Sequence, residues 1–483
     1  MKISVSTCSP KSPWGVVCVS LLLLGSLNMS FAQNPIPQIV GPVQPSAVAP
    51  GSGAFSLNVY GANFVPGAVV NWNRQPRTTT FVSAHQLQAK ILATDVAQNS
   101  AGLISVTNPA PGGGNSSASW AQVEVHTPIT TVTIAKRKQY VIGDWLLMSA
   151  DFNNDGILDL IGEEGGDLDF YAGKGDGTFR FGSIAGRAYP GVWPAAYGDF
   201  NNDGNVDVIF PQGIDQNLPT KMAVMLGDGK GNFPIPSVIQ DLGGLLLVGV
   251  GDFNRDGNLD FVSKGNQLHV FLGKGDGTFR HFKDYPYTDL AGQLIVGDFN
   301  NDGKLDIVLM QSPLPNDNNL GMAFYLLTGK GDGTFNSPKL IGSFPSALGC
   351  SGTGTQGDIQ LSDINADGKL DLAFCNQTQV GIIMGNGDGT FQSPVFYTVG
   401  ALQEFQFAIG DLNSDGKQDL LVSRNDTSPP QFEVWLGNGD GTFQSPQTSS
   451  QVSALFLVLG DFNADGLVDF LGPSGLGMQA YIQ

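Results

Sequence analysis

Side-chain oxygens recur along this chain in one fixed pattern, D-[FIL]-N-x-D-G-x-x-D, whose spacing suits the capture of a hard divalent cation. Seven copies carry it, and their oxygens lie on Asp151, Asn153, Asp155 and Asp159; Asp199, Asn201, Asp203 and Asp207; Asp252, Asn254, Asp256 and Asp260; Asp298, Asn300, Asp302 and Asp306; Asp363, Asn365, Asp367 and Asp371; Asp411, Asn413, Asp415 and Asp419; and Asp461, Asn463, Asp465 and Asp469. Calcium takes about six to eight oxygens, and glycine at position six lets a tight loop wrap them around one point. Position two is always large and apolar (Phe152, Phe200, Phe253, Phe299, Ile364, Leu412, Phe462), which plugs each loop into a core. The first half of an EF-hand has this spacing, but the position-twelve glutamate and the flanking amphipathic helices are missing. Asx and Asp-Gly chemistry would also make good turns without metal. Seven copies at constant offsets, each with an aspartate at position nine that a turn does not need, favour the metal.

The elements that must position these loops follow from what surrounds them. Each copy lies between short apolar runs such as Leu160-Ile161, Val208-Ile209 and Ile307-Val308, and the copies repeat about every 50 residues. A second motif follows each of the first six, as GKGDGTF at Gly173, Gly273 and Gly329, GNGDGTF at Gly385 and Gly437, and an altered GDGKGNF at Gly227. Its Asp-Gly pair signals a hairpin. Strand, metal turn, strand, loop, strand, hairpin, strand makes a four-stranded antiparallel blade, and such blades set radially make a β-propeller. No stretch shows a helical period. Seven metal loops but six hairpins leave the last blade one strand short, and residues 131–140 are placed to supply it from the other end of the repeats.

The segment from Pro37 to Val125 has no metal loop; it alternates apolar residues with Gly/Pro punctuation, as in Phe55, Leu57, Val59 and Tyr60-Gly61, and reads as a small β-sandwich in which Trp72 belongs to the core. A Thr/Pro stretch over residues 127–131 reads as a linker. At the N-terminus, Lys2 and Lys11, an apolar run from Trp14 to Leu24 and Ser30-Phe31-Ala32 read as a secretory signal peptide, too short for a membrane span; Cys18 lacks the preceding small residue of a lipoprotein.

Net charge is −19, and seven loops with three aspartates each account for 21 of the 43 acidic residues; seven divalent ions would bring it to about −5. The 24 Lys and Arg form no patch beyond Lys136, Arg137 and Lys138, so nucleic acid is an improbable partner. With Cys8 and Cys18 in the signal segment, Cys350 and Cys375 remain, flanking the fifth loop at matching distances; antiparallel strands there would let them close a disulfide, the alternative being two buried thiols.

The paired loop and hairpin motifs resemble the FG-GAP/VCBS repeat family, which includes the integrin α-subunit propeller. The resemblance implies calcium in each loop, on the four side chains named for it; Gln418 at an otherwise apolar position and the altered hairpin at Gly227 depart from the pattern. The runs VQPSAVAPGSGAFSLNVYGANFVPGAVVNWN and GLISVTNPAPGGGNSS resemble an IPT/TIG immunoglobulin-like domain, a module that serves as spacer or interaction domain. The expected organisation is all-β: a signal peptide over residues 1–32, an Ig-like β-sandwich over 36–126 and a seven-bladed β-propeller over 131–483, with up to about seven structural Ca2+ ions.

The expected function is that of a secreted or cell-surface calcium-binding adhesion or recognition protein, with no transmembrane span, that binds an extracellular protein or glycan. The variable loops opposite the metal turns, with Trp193, Tyr285 and Tyr287, are the candidate binding face; simple tolerance of insertion there is the other reading. An extracellular carbohydrate-active hydrolase or lyase is the alternative. Against it, only His269 and His281 fall among the repeats, no catalytic motif occurs, and Glu163, Glu164, Asp167 and Asp169 read as an acidic solvated loop rather than a carboxylate pair.

Overall fold

The computed structural model describes residues 33–40, 43–116, 121–133, 135–140, 145–164, 167–187, 196–213, 219–234, 237–239, 247–264, 267–286, 293–311, 322–344, 359–376, 378–399, 405–424, 431–450, 457–474 and 477–483. Residues 1–32, read from the sequence as a signal peptide, and Trp193, Tyr287 and Cys350 lie outside them. Within them the chain is all-β, with a single 3-10 turn over Ala93–Val96 and no helix long and apolar enough to cross a membrane.

Alternation in the N-terminal strands does what period-two burial requires. In Phe55–Ala62 the side chains of Leu57 and Val59 are fully buried, and in Ser100–Asn108 Gly102, Ile104 and Val106 point inward while Leu103, Ser105 and Thr107 stay half-buried. Two sheets enclose one apolar core that includes Val70, Leu87, Ile91, Val123 and Trp72, the last 3% exposed with its ring against Gly102. A Cβ on Gly102 would meet that ring, so the position admits only glycine.

Each of the seven loops joins the first two strands of a four-stranded antiparallel sheet. The first sheet is typical: Trp145–Ala150, Asp159–Glu164, Asp167–Gly173 and Phe179–Arg187, in sequence order. The seventh differs, as the count of motifs requires. Val458–Gly460, Asp469–Ser474 and Gly477–Ile482 are completed by Ala135–Tyr140, which pairs antiparallel with the chain's last strand, Ala135 opposite Ile482 and Tyr140 opposite Met478.

The two motifs interlock neighbouring sheets. The phenylalanine that ends a hairpin packs edge-on against position two of the preceding loop: Phe233 on Phe152, Phe279 on Phe200 and Phe335 on Phe253, with ring centroids 6.0, 5.6 and 5.5 Å apart. Beside several of these pairs a hairpin glycine N–H donates to the position-two carbonyl, Gly277 to Phe200 at 3.0 Å and Gly333 to Phe253 at 3.0 Å. The same pair of contacts joins the first sheet to the seventh: Phe179 packs on Phe462 at 5.7 Å, and the Gly177 N–H donates to the Phe462 carbonyl at 2.9 Å. The sheets therefore follow one another around a closed circuit, as in a propeller.

Gln33 to Gln483 form one compact unit, and the sandwich is not a free module. The stretch read as a linker is pinned: the Ile129 N–H donates to the Asn413 carbonyl at 2.9 Å, Gln447 brackets Thr130 and Val132, and Val132 is buried against the repeats. The Thr/Pro composition of 127–131 reads as a linker, yet backbone groups of Ile129 and Thr130 find partners on the sixth repeat.

Candidate metal centres

Every loop folds the same way. Position six is a left-handed glycine (φ 86° at Gly156), and position four is left-handed too, at φ 64° for Asn154 and 57° for Ala366. Asparagine tolerates that region best, and its recurrence at 154, 202 and 301 was the available signal for it. The turn aims successive N–H groups inward: those of Asp155 and Gly156 donate to the two oxygens of Asp151 at 3.0 and 2.9 Å, and that of Ile157 to Asp155 at 2.9 Å.

Position nine has a structural duty that the sequence did not disclose. Asp159, Asp207, Asp260, Asp306, Asp371, Asp419 and Asp469 are completely buried. In each, one oxygen accepts the position-two N–H and the other a backbone N–H at the end of the sheet's third strand. For Asp306 these donors are Phe299 at 3.1 Å and Gly329 at 2.8 Å; for Asp469 they are Phe462 at 3.1 Å and Gln483 at 2.9 Å. The aspartate thus ties its loop to the start of the hairpin motif. The departures from the pattern are accommodated: in the altered second hairpin the Gly227 N–H still reaches Asp207 at 2.8 Å, and buried Gln418 accepts from Ser362 at 3.4 Å.

Electrostatically these are carboxylates short of a cation. Burial first, then the neighbouring loop aspartates, push Asp159, Asp207 and Asp371 up to about 7 and Asp306, Asp419 and Asp469 up to about 8. At position one, burial raises Asp252 and Asp298 to about 7. Side-chain cations collect in the same loops: the ammonium groups of Lys304 and Lys369 lie 2.9 and 3.0 Å from the position-five carboxylates of Asp302 and Asp367, and the Arg74 guanidinium pairs with the position-one carboxylate of Asp151. An all-oxygen, repulsive donor set of this kind fits a hard divalent cation, which positions one, three, five and nine would hold. When bound, the ion would supply the positive charge these buried carboxylates lack. Among the described residues only His269, His281 and Asp284 bring three carboxylate or imidazole ligand atoms within 4.8 Å of one another.

Asp306 separates bracket from ligand. Asp306→Leu strands two buried N–H groups and is expected to cost about 2–6 kcal/mol with or without calcium. Asp306→Asn keeps one acceptor but turns an amide NH2 toward the other backbone N–H, so it is expected to cost about 1–3 kcal/mol in EDTA, less than Asp306→Leu, and to reduce the gain from calcium as well. Urea unfolding in EDTA and in calcium checks both.

The sandwich sits on this loop face, a relation no sequence pattern announced. Its donors reach position-one aspartates: Ile36 N–H to Asp252 at 2.8 Å, Gln44 Nε2 to Asp363 at 2.7 Å and Ser46 Oγ to Asp411 at 3.0 Å, besides Arg74 to Asp151. The Asn63 N–H donates to the Gly303 carbonyl at 3.2 Å. Glu124 is buried at the sixth and seventh loops, accepting from the Ser414 hydroxyl; burial and then Asp411 hold its carboxyl well above the ordinary range.

Other expected sites resolve differently. Tyr285 is not an exposed platform: it is 7% exposed, packs in the core of the third and fourth sheets, and its hydroxyl accepts the Phe335 N–H at 2.7 Å. Most of the variable loops around it lie outside the described residues. Asp169 belongs to a buried strand face rather than a solvated loop, within reach of the Tyr171 hydroxyl at 3.3 Å. His269 Nδ1 and His281 Nε2 both meet Asp284 Oδ1, at 2.6 and 2.7 Å, a cluster that His residues on paired strands make and that sequence spacing did not reveal.

The FG-GAP-like repeat family matches residues 151–210, 252–309, 363–422 and 411–472, spans that together contain all seven loops. No curated protein matches the chain. Among solved structures, a lectin from Agrocybe aegerita described as recognising non-reducing terminal N-acetylglucosamine is 17% identical, over 83% of this chain and 98% of its own, at a TM-score of 0.46. An auxiliary nutrient binding protein from Bacteroides ovatus is 12% identical over 92% and 97%, at 0.39, and the periplasmic gluconolactonase of Pseudomonas aeruginosa is 14% identical over 74% and 93%, at 0.42. This chain is an all-β protein whose repeated sheets carry FG-GAP-like repeats in a propeller arrangement.

Proposed function

We propose that this is an exported recognition protein: a seven-bladed propeller, stiffened by structural calcium in its loops, with an IPT/TIG-like Ig module seated on the metal face, binding an extracellular protein or glycan without turnover. The observation that carries the reading is the sevenfold bracket of buried position-nine aspartates, which makes a rigid frame and leaves oxygen ligands over for an ion. Rigid frames of this sort commonly present binding groups on the segments they hold. Export fits calcium sites that fill outside the cell and stay empty in the cytosol. A Cys350–Cys375 disulfide would belong to the same setting, with Cys375 buried at the end of the strand Asp371–Cys375.

The test is binding of the full-length protein to arrays of extracellular proteins and of glycans, in calcium and in EDTA. Calcium-dependent binding to a defined ligand class is the expected result. Polysaccharide cleavage that Glu163→Gln or Glu164→Gln abolishes would replace this reading with the enzymatic one.

A further inference from the structure

We propose that the cleft between the sandwich and the first two metal loops is a binding site for a neutral, hydroxyl-rich ligand, an oligosaccharide. This rests on the recognition reading above and assigns that recognition a place and a substrate class.

The cleft encloses about 730 Å3, within the roughly 300–1,000 Å3 of small-ligand sites, which favour the junction of two modules. Its sandwich wall is the half-buried face of Ser100–Asn108 with the adjoining strand Val69–Trp72; its other wall is built from the first and second loops. Alternation on Ser100–Asn108 explains that wall: the inward residues fill the core, so Ser105 and Thr107 must face the cleft. They are organised rather than solvated at random. Buried Asn71 donates to Ser105 at 3.3 Å and to Thr107 at 2.9 Å, and Thr107 donates to Asn115 at 2.6 Å.

On the opposite wall Ser149 is 1% exposed, and its buried hydroxyl has no hydrogen-bond partner among the described residues. Buried hydroxyls are seldom left so, and Ser149 lines the cleft, where a small side-chain movement would bring its hydroxyl to a bound ligand. Nearby, Asn154 and Asn205 join the first loop to the second through a 2.8 Å hydrogen bond, which fixes the floor.

Chemistry narrows the ligand. The lining is rich in amides and hydroxyls, which donate and accept as a sugar hydroxyl does. Asp151, Asp155 and Asp199 face the cleft beside one guanidinium, Arg74, already paired with Asp151; with a divalent ion in each of the two loops, their six aspartates and Arg74 still leave a charge of about −1, which disfavours a carboxylated or phosphorylated ligand. An apolar ligand would leave the amides unpaired.

The experiment uses full-length, calcium-loaded protein on an array of neutral oligosaccharides (gluco-, xylo-, manno- and chito-oligomers) beside acidic oligogalacturonates. Binding to a neutral class and not to the acidic one is expected. Ser105→Trp, which puts an indole into the cleft, should weaken that binding at least tenfold while the protein stays folded, with its thermal midpoint within a few degrees of the parent. Ser149→Ala, a smaller change within the same wall, should weaken it about fivefold; Val395→Trp, on an exposed outer strand, should not. Neutral-glycan binding that survives both cleft variants overturns this site and leaves the recognition reading intact. Binding only on a protein array has the same meaning. Silence on both arrays overturns the site and the recognition reading together.

Discussion

Chelation with EDTA at pH 8 is expected to lower the thermal midpoint by about 5–12 °C and to expose the repeats to protease. The size follows from mass action. Extracellular calcium sites have dissociation constants of about 0.1–1 mM, so about 2 mM calcium stabilises by about 0.7–1.8 kcal/mol per loop, and seven loops in one cooperative circuit add their contributions. An unchanged midpoint would remove calcium from this account. The pH dependence supplies a second check because its sign inverts between the two states. In metal-free protein six of the position-nine carboxyls titrate at about 7 to 8, against an ordinary value of 3.8, and burial holds that of Asp260 well above the ordinary range too. The folded state therefore holds more protons than the unfolded one between those values. Their stabilising effect is full below about 4 and is lost as pH rises through about 8. Calcium needs the deprotonated acids, so its effect grows over the same interval. Midpoints in EDTA should fall from pH 5 to pH 8, midpoints in calcium should hold or rise, and the two curves should converge at acid pH.

Deleting residues 131–140 is expected to lower the midpoint by more than about 10 °C or to abolish folding, with the loss spread over all seven sheets. Ala135–Tyr140 is the outer strand of the seventh sheet and the partner of the chain's last strand. Without it Gly477–Ile482 would present an unpaired edge, and the sheet that the Phe179–Phe462 contact joins to the first would lose a quarter of its strands. Val132, buried against Leu412 and Tyr481, would go with it. Hydrogen exchange gives the spatial readout: protection lost in the first and sixth sheets as well as the seventh supports a closed circuit, whereas loss confined to the seventh, or a variant that melts like the parent, refutes it.

Much of this was legible in the residues because it is local. Oxygen spacing, a glycine with positive φ, an apolar plug and an Asp-Gly hairpin act over a few residues, so loops, strands and their order could be read off, and a motif count was enough to require a borrowed strand within residues 131–140. The same locality explains the errors. Tyr285 and Asp169 look like surface groups by residue type, but strand alternation and neighbouring sheets bury both.

The sequence by itself determined the repeating unit, since each loop's conformation depends on its own nine residues. Tertiary structure decided what those loops meet: the sandwich seated on them through Ile36, Gln44, Ser46 and Arg74, the phenylalanines locking sheet to sheet, and the cleft lined by Ser105 and Ser149. Those contacts join residues up to several hundred positions apart, each an ordinary donor or ring with no pattern of its own. Only the packing of whole sheets brings them together.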